Sequence, residues 1–151
     1  MPEQREFMNR FLVEIFNDIL RTEEKCLAEC GYDNLSIREL HVIEAVCLGT
    51  ANGHNTVGDI AALLGVVPGT LTTAVNILEK KNYLIREKDT ADKRIVRIFP
   101  TPAGMKANAD HSNFHAQMID TIQEALTLDE QIVFVKALGS VADFFNNKKH
   151  L

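Results

Sequence analysis

The sequence predicts a mainly α-helical chain that carries one two-stranded hairpin, and three observations predict it. Apolar residues recur at helical spacing along most of the chain. One short stretch, 83–99, is instead rich in β-favouring residues and is interrupted by the polar run Asp89-Thr90-Ala91-Asp92-Lys93. Of the 151 residues 46% are hydrophobic, with only 4 Pro and 8 Gly, so one domain's worth of chain has material for a substantial core.

The first helix is expected over 4–30. Phe7, Met8, Phe11, Leu12, Ile15, Phe16, Ile19, Leu20 and Leu27 give it more apolar surface than one helix buries in its own domain. A second chain is therefore expected to cover part of it. After a turn at 31–34, Ser36 and Glu39 have capping-box spacing and open a second helix that carries Leu40, Ile43, Val46 and Cys47 inward. Residues 49–55 read as a loop.

In the third helix Val57, Ile60, Ala61 and Leu64 form one stripe, with Thr56 as N-cap, Asp59 near the positive end of the dipole and Gly65 as terminator. Pro68 opens a fourth helix. Leu71, Ala74, Val75 and Leu78 share its inner face; Gly69, Thr73, Asn76 and Lys80 share the outer one, with Thr72 beside them. Strands are expected at 83–88 and 94–99. Thr101-Pro102 starts a long helix to about Leu126, with Met105, Ile119 and Ile122 on its apolar side. Thr127 and Glu130 form another capping box, and the last helix aligns Leu128, Ile132, Val135, Leu138, Ala142 and Phe145. Lys148 and Lys149 suit its negative end.

The outer face of the fourth helix points to a function. A purely solvated face would carry more Glu and Lys, whereas short donors and acceptors such as Thr73 and Asn76 suit a helix that enters the major groove. Two such helices followed directly by a hairpin make a winged helix-turn-helix, and Lys88, Lys93 and Arg94 place cations at the wing tip for phosphates or the minor groove. The net charge of −5 is unevenly spread: residues 79–97 hold seven basic against four acidic side chains, a surplus of +3, which leaves −8 on the rest. An acidic body with one basic edge orients itself on a duplex.

The motifs Leu64-Gly65-Val66, Thr70 to Thr73, Leu78-Glu79-Lys80-Lys81, Tyr83-Leu84-Ile85-Arg86, Asp92-Lys93-Arg94 and Thr101-Pro102-Ala103-Gly104 resemble the MarR family of bacterial transcription regulators. The resemblance covers nearly all of residues 1–151, read as a single chain of that type. It implies a winged-helix DNA-binding part at 36–100, and dimerisation helices at 1–34 and 101–151. A homodimer would bind double-stranded DNA at a palindromic operator. Thr72, Thr73 and Asn76 are expected to read bases, and Thr70 and Lys80 to meet phosphates. Lys88, Asp92, Lys93 and Arg94 form the wing, with Asp92 orienting Arg94. Three positions depart from the family pattern. Lys93 stands where Arg is usual and Asn82 where Gly is usual. Val67 replaces a capping Ser or Thr, a loss of about 1 kcal/mol.

Phe11 to Leu20, Glu23-Glu24, Leu35-Ser36, Glu39 with His41, Gly69 to Thr73, Asn76 and His111 to His115 are together similar to the FabT-type branch, repressors of fatty-acid synthesis genes. That similarity implies long-chain acyl carrier protein as corepressor, with a pocket between the first, second and fifth helices for the acyl chain. An alternative is a regulator that senses zinc or another small ligand. His111 and His115 are i, i+4 on one helix, and Glu24 with His41 could complete a Zn2+ set. A carboxylate hydrogen-bonded to histidines explains the same residues without metal. Cys26, Cys30 and Cys47 form no CxxC and no even set, and the neighbouring Glu residues oppose a reactive thiolate. No phosphate loop or nucleophile elbow is present, so no enzyme activity is expected. The N-terminus lacks a signal-peptide layout and no run reaches a membrane span, so a cytoplasmic protein is expected, away from any membrane.

Overall fold

The computed structural model describes residues 1–148. Along them run α1 (Pro2–Glu29), α2 (Ile37–Ala51), α3 (Val57–Leu64), α4 (Pro68–Lys80), β1 (Leu84–Lys88), β2 (Val96–Pro100), α5 (Pro102–Ala125) and α6 (Leu128–Lys148). Two compact units result, Met1–Ser112 and Asn113–Leu151, the boundary falling within α5. Among the described residues no single helix is long and apolar enough to cross a membrane.

The core of the first unit is built from Leu40, Ile43 and Val46 of α2, Ile60 of α3, Leu71, Val75 and Leu78 of α4, Leu84 of β1 and Ile98 of β2, all fully buried. These are the inward positions that the 3.6-residue and two-residue periods select. Caps fix where the helices begin. At α2 the Glu39 amide donates to Ser36 Oγ at 3.2 Å and the Ser36 amide donates to Glu39 Oε2 at 2.9 Å. At α3 Thr56 and Asp59 repeat that exchange at 3.2 and 3.1 Å. Gly65 then reverses the chain at φ 66°. Val67 provides no side-chain cap to α4, whose first residue is Pro68. Past the end of α4, Asn82 takes φ 64°, the left-handed role that the resemblance gives to glycine.

A lysine carboxylate tie joins the end of α4 to the start of α2. Lys81 Nζ donates to both Glu39 oxygens at 2.8 and 2.9 Å and to the Asn34 carbonyl at 2.5 Å. Burial would raise the Glu39 pKa, but the bonds from Lys81 and Ser36 outweigh it and hold the carboxyl below its ordinary value.

Three expectations are corrected. Residues 49–51, expected in a loop, continue α2. Gly49 is there for close approach rather than chain reversal: a Cβ would lie 2.5 Å from the His54 carbonyl oxygen and from Ile60 Cδ1. The second strand begins at Val96, not Arg94, with Leu84 opposite Pro100 and Lys88 opposite Val96. Arg94 and Ile95 belong to the tip, where the amides of both bond back to Asp92. On α5 the buried residues are Gly104, Ala107 and His111, while Met105 is 52% exposed. The inner face runs through the smallest residues because the helix starts against backbone; a Cβ on Gly104 would overlap the Tyr83 carbonyl.

Along α1, Phe7, Met8, Phe11, Leu12, Val13, Phe16 and Leu20 are exposed, whereas Leu27 is buried. In the second unit the Thr127 amide donates to Glu130 Oε2 at 2.8 Å, which starts α6. Gln131 Nε2 reaches the Gln123 and Leu126 carbonyls across that corner at 3.0 and 3.1 Å. Leu128, Ile132, Val135, Leu138 and Phe145 are exposed along α6. Lys149, expected at the negative end of this helix, lies outside the described residues.

Candidate nucleic-acid interface

The helix-turn-helix is α3 and α4, and α4 carries the expected readers outward. Thr70, Thr72, Thr73, Asn76 and Lys80 are all exposed. Two of them already have intramolecular bonds. Thr73 Oγ donates to the Gly69 carbonyl at 3.1 Å. Asn76 Oδ1 accepts from Arg86 Nη2 at 2.5 Å. Arg86, on β1, also donates to the Thr72 carbonyl at 3.3 Å, and its Nη1 lies 3.4 Å from Glu79 Oε2. One of the seven basic side chains of this edge is thus turned onto α4.

The wing is held by a second inward arginine. Arg97 Nε donates to Asp89 Oδ2 at 2.5 Å and Nη1 donates to Asn55 Oδ1 at 3.0 Å. Asn55, 3% exposed, donates its Nδ2 to the Ile98 carbonyl at 2.8 Å and accepts the Ile98 amide at 2.9 Å. Its neighbour Thr56, the cap of α3, bridges to Arg97. Asp89 also accepts the Ala91 and Asp92 amides at 2.8 and 3.1 Å, which folds the tip into a tight turn. Arg97 first, then those two amides, depress the Asp89 carboxyl to about 2.

At the tip Lys88, Lys93 and Arg94 are exposed. Asp92 grips Arg94 in bidentate fashion, Nε to Oδ1 and Nη2 to Oδ2 each at 3.0 Å, and also accepts its amide at 3.0 Å. The Arg94 side chain remains 90% exposed, so its direction is set while its charge faces water. Asp92 is held below the ordinary carboxylate value by the same bonds.

A buried polar group lies elsewhere in the first unit. His111 Nε2 is 3.0 Å from Glu23 Oε1, and both side chains are almost fully buried. The ring of His41 is 5.8 Å from that of His111, and Glu44 Oε2 is 3.8 Å from His111 Nδ1. The carboxylate expected here was Glu24, but Glu24 is exposed and Glu23 takes the place. The half-buried positions Ile15, Ile19 and Cys26 show why: with Leu27 they trace a face that passes through 23 and leaves 24 about 100° away. His115 lies one turn beyond His111 on α5, past the start of the second unit. A groove of about 450 Å³ opens between α2, α3 and α4, lined by His41, Leu64, Val66, Leu71, Ala74 and Ile77 among others. The Glu23–His111 pair joins α1 to α5, in the region where the resemblance implies a pocket for the acyl chain.

Sequence reasoning did not single out Asn55 or Glu44; it had Glu23 and Arg86 only as parts of the family motifs and Arg97 only in the charge balance and the strand, with no structural role for any of them. The available signal was position: Arg86 is the middle residue of β1 and Arg97 the second of β2, both within the ladder rather than on the tip that carries the outward cations.

Residues 35–96 match the MarR family. The fold matches that of Streptococcus pneumoniae FabT in a crystal structure with DNA, with 30% identity, a TM-score of 0.84, and coverage of 95% of this chain and 98% of that one. The chain belongs to the MarR family. Staphylococcus aureus MepR, in a complex with DNA, shares the fold at 18% identity and a TM-score of 0.72, over 89% of this chain and 94% of that one. The Bacillus subtilis HTH-type transcriptional regulator YwhA is 30% identical over 91 residues, 60% of this chain and 66% of that protein. The chain spans 49% to 66% of the length of the curated Bacillus subtilis relatives that it matches. Those relatives are transcriptional regulators, not enzymes.

Proposed function

We propose that this MarR-family protein is a cytoplasmic homodimeric repressor of fatty-acid synthesis genes, that it binds palindromic operators, and that long-chain acyl carrier protein is its corepressor. The observation that carries the DNA-binding part is the joint display of Thr70, Thr72, Thr73, Asn76 and Lys80 on α4 beside an Arg94 pre-aimed by Asp92. In that reading α4 lies in the major groove, Arg94 reaches over the adjacent minor groove, and Lys88 and Lys93 meet phosphates. The exposed apolar rows on α1 and on α6 supply the surface that a second copy would cover. The fatty-acid assignment is supported by likeness to FabT over nearly the whole chain.

The test is operator binding titrated with acyl carrier protein carrying long-chain acyl groups. Tighter binding is expected with the acylated carrier and no change with the unacylated one. Unchanged affinity in both defeats the corepressor assignment. Independently, Arg94→Ala is expected to weaken operator binding by about 1–3 kcal/mol with folding intact.

A second reading rests on the Glu23–His111 pair with His41 alongside. Carboxylate and imidazole are ordinary zinc donors, and Glu23 and His111 are the residues of the first unit that would take part in holding Zn2+ or another small effector. The 3.0 Å separation suits a direct hydrogen bond and is also near the spacing of two donors on one zinc. Metal content of protein purified without chelator or nickel resin decides between the two.

A further inference from the structure

We infer that Arg86 is a specificity-determining residue that acts through Asn76, fixing it as a donor-only reader that selects guanine over adenine. The inference rests on the reading of α4 as the major-groove helix. A guanidinium carries donors and no acceptor, so the amide atom 2.5 Å from Arg86 Nη2 must be the oxygen of Asn76. That removes the usual ambiguity of an amide's orientation. The bond is charge-assisted, and Arg86 is anchored by the Thr72 carbonyl and by Glu79, one turn beyond Asn76 on α4. Arg86 therefore sits on the helix with its charge matched by Glu79, rather than reaching for a phosphate.

An unrestrained asparagine prefers adenine, because its oxygen accepts from N6 while its amide donates to N7. In this protein Arg86 takes one of that oxygen's two lone pairs, and its positive charge beside the oxygen disfavours a second donor such as adenine N6. What Asn76 offers from the exposed face of α4 is its NH2 group, two donors. The major-groove edge with two adjacent acceptors is that of guanine, through N7 and O6. Loss of Arg86 frees the oxygen and returns the adenine option.

The experiment selects binding sites from randomised duplexes with the full-length protein, as wild type, Arg86→Met, Arg86→Lys and Asn76→Ala. The base pair whose preference disappears in Asn76→Ala is the one that Asn76 reads. Affinities for the guanine and adenine versions of that site are then measured for each protein over a series of salt concentrations. Wild type is expected to favour guanine, and Arg86→Met to lower the guanine-to-adenine ratio by about tenfold. Arg86→Lys, which keeps a donor to the oxygen, should hold most of the preference. In the Asn76→Ala background Arg86→Met should leave the ratio unchanged, and circular dichroism should report intact folding throughout. Adenine at that position in wild type, or an unchanged ratio in Arg86→Met, overturns the inference. So does a fall of about one in the slope of log affinity against log salt, which would make Arg86 a phosphate contact. If wild type selects no motif, the reading of α4 fails first and takes this inference with it.

Discussion

Replacement of Arg97 by Met separates a structural cation of the wing from the DNA-facing ones. The variant keeps an unbranched apolar stem but loses both bonds of the guanidinium. Asn55 Oδ1 then remains behind in a residue only 3% exposed, and an unsatisfied buried acceptor costs about 1–3 kcal/mol. The Arg97 side chain is 30% exposed and that of Asp89 13%, so solvent screens the ion pair and the unsatisfied Asn55 oxygen is the larger loss. The expected loss is about 2 kcal/mol of the first unit's stability, read as a drop of roughly 4–8 °C in the thermal midpoint. Operator affinity should fall as well, because the turn that presents Arg94 is no longer braced, but the salt dependence should stay as in wild type. Differential scanning calorimetry and fluorescence anisotropy over a salt series measure both quantities. An unchanged melting point with a shallower salt slope would refute the reasoning and place Arg97 on a phosphate.

Three other outcomes are expected. Glu23→Gln should destabilise the protein by roughly 1.5–3 kcal/mol, since it weakens a buried bond to His111, whereas Glu24→Gln should move stability by less than about 0.5 kcal/mol; chemical denaturation compares the two. Asp89 should titrate with a midpoint of about 2 by NMR. Its folded value lies below the ordinary 3.8, so its contribution to the wing is complete above that value and is lost as pH falls toward 2; a midpoint near 4 would contradict the turn geometry. Gly104→Ala should cost about 1–3 kcal/mol, because the added methyl meets the Tyr83 carbonyl; a neutral melt would show that α5 can shift away.

Much of the fold was legible because its signals are local. The Ser36–Glu39 box, the Thr56 cap, Gly65 and Pro68 are set by residues within one turn of the boundary that they make, and all appear where the sequence placed them; Asp59, read only as a partner for the helix dipole, also completes a second box. Gly49 was misread because a glycine needed for close approach looks the same in sequence as one needed for a turn. Met105 was misread because an apolar residue at helical spacing carries no mark of which face is crowded by backbone. The outward polar residues of α4 followed from its inner stripe. The ties that organise them did not: Arg86 to Asn76 spans 10 positions and Arg97 to Asn55 spans 42, and neither separation has a period to betray it. Glu23 against Glu24 is a choice of 100° about α1, which only the neighbouring half-buried side chains resolve.

The hairpin tip is fastened at both ends, by the Asx turn at Asp89 and by the Asp89 amide donating to the Ile95 carbonyl at 2.9 Å. Its loop therefore carries its backbone bonds before it meets a duplex. Docking on a duplex need restrict those bonded backbone torsions less, and the entropy lost on association within the tip falls chiefly to exposed side chains such as Lys88 and Lys93. Calorimetry of complex formation should accordingly give a heat-capacity change close to that of two rigid surfaces meeting, without the additional term of a segment that orders on contact.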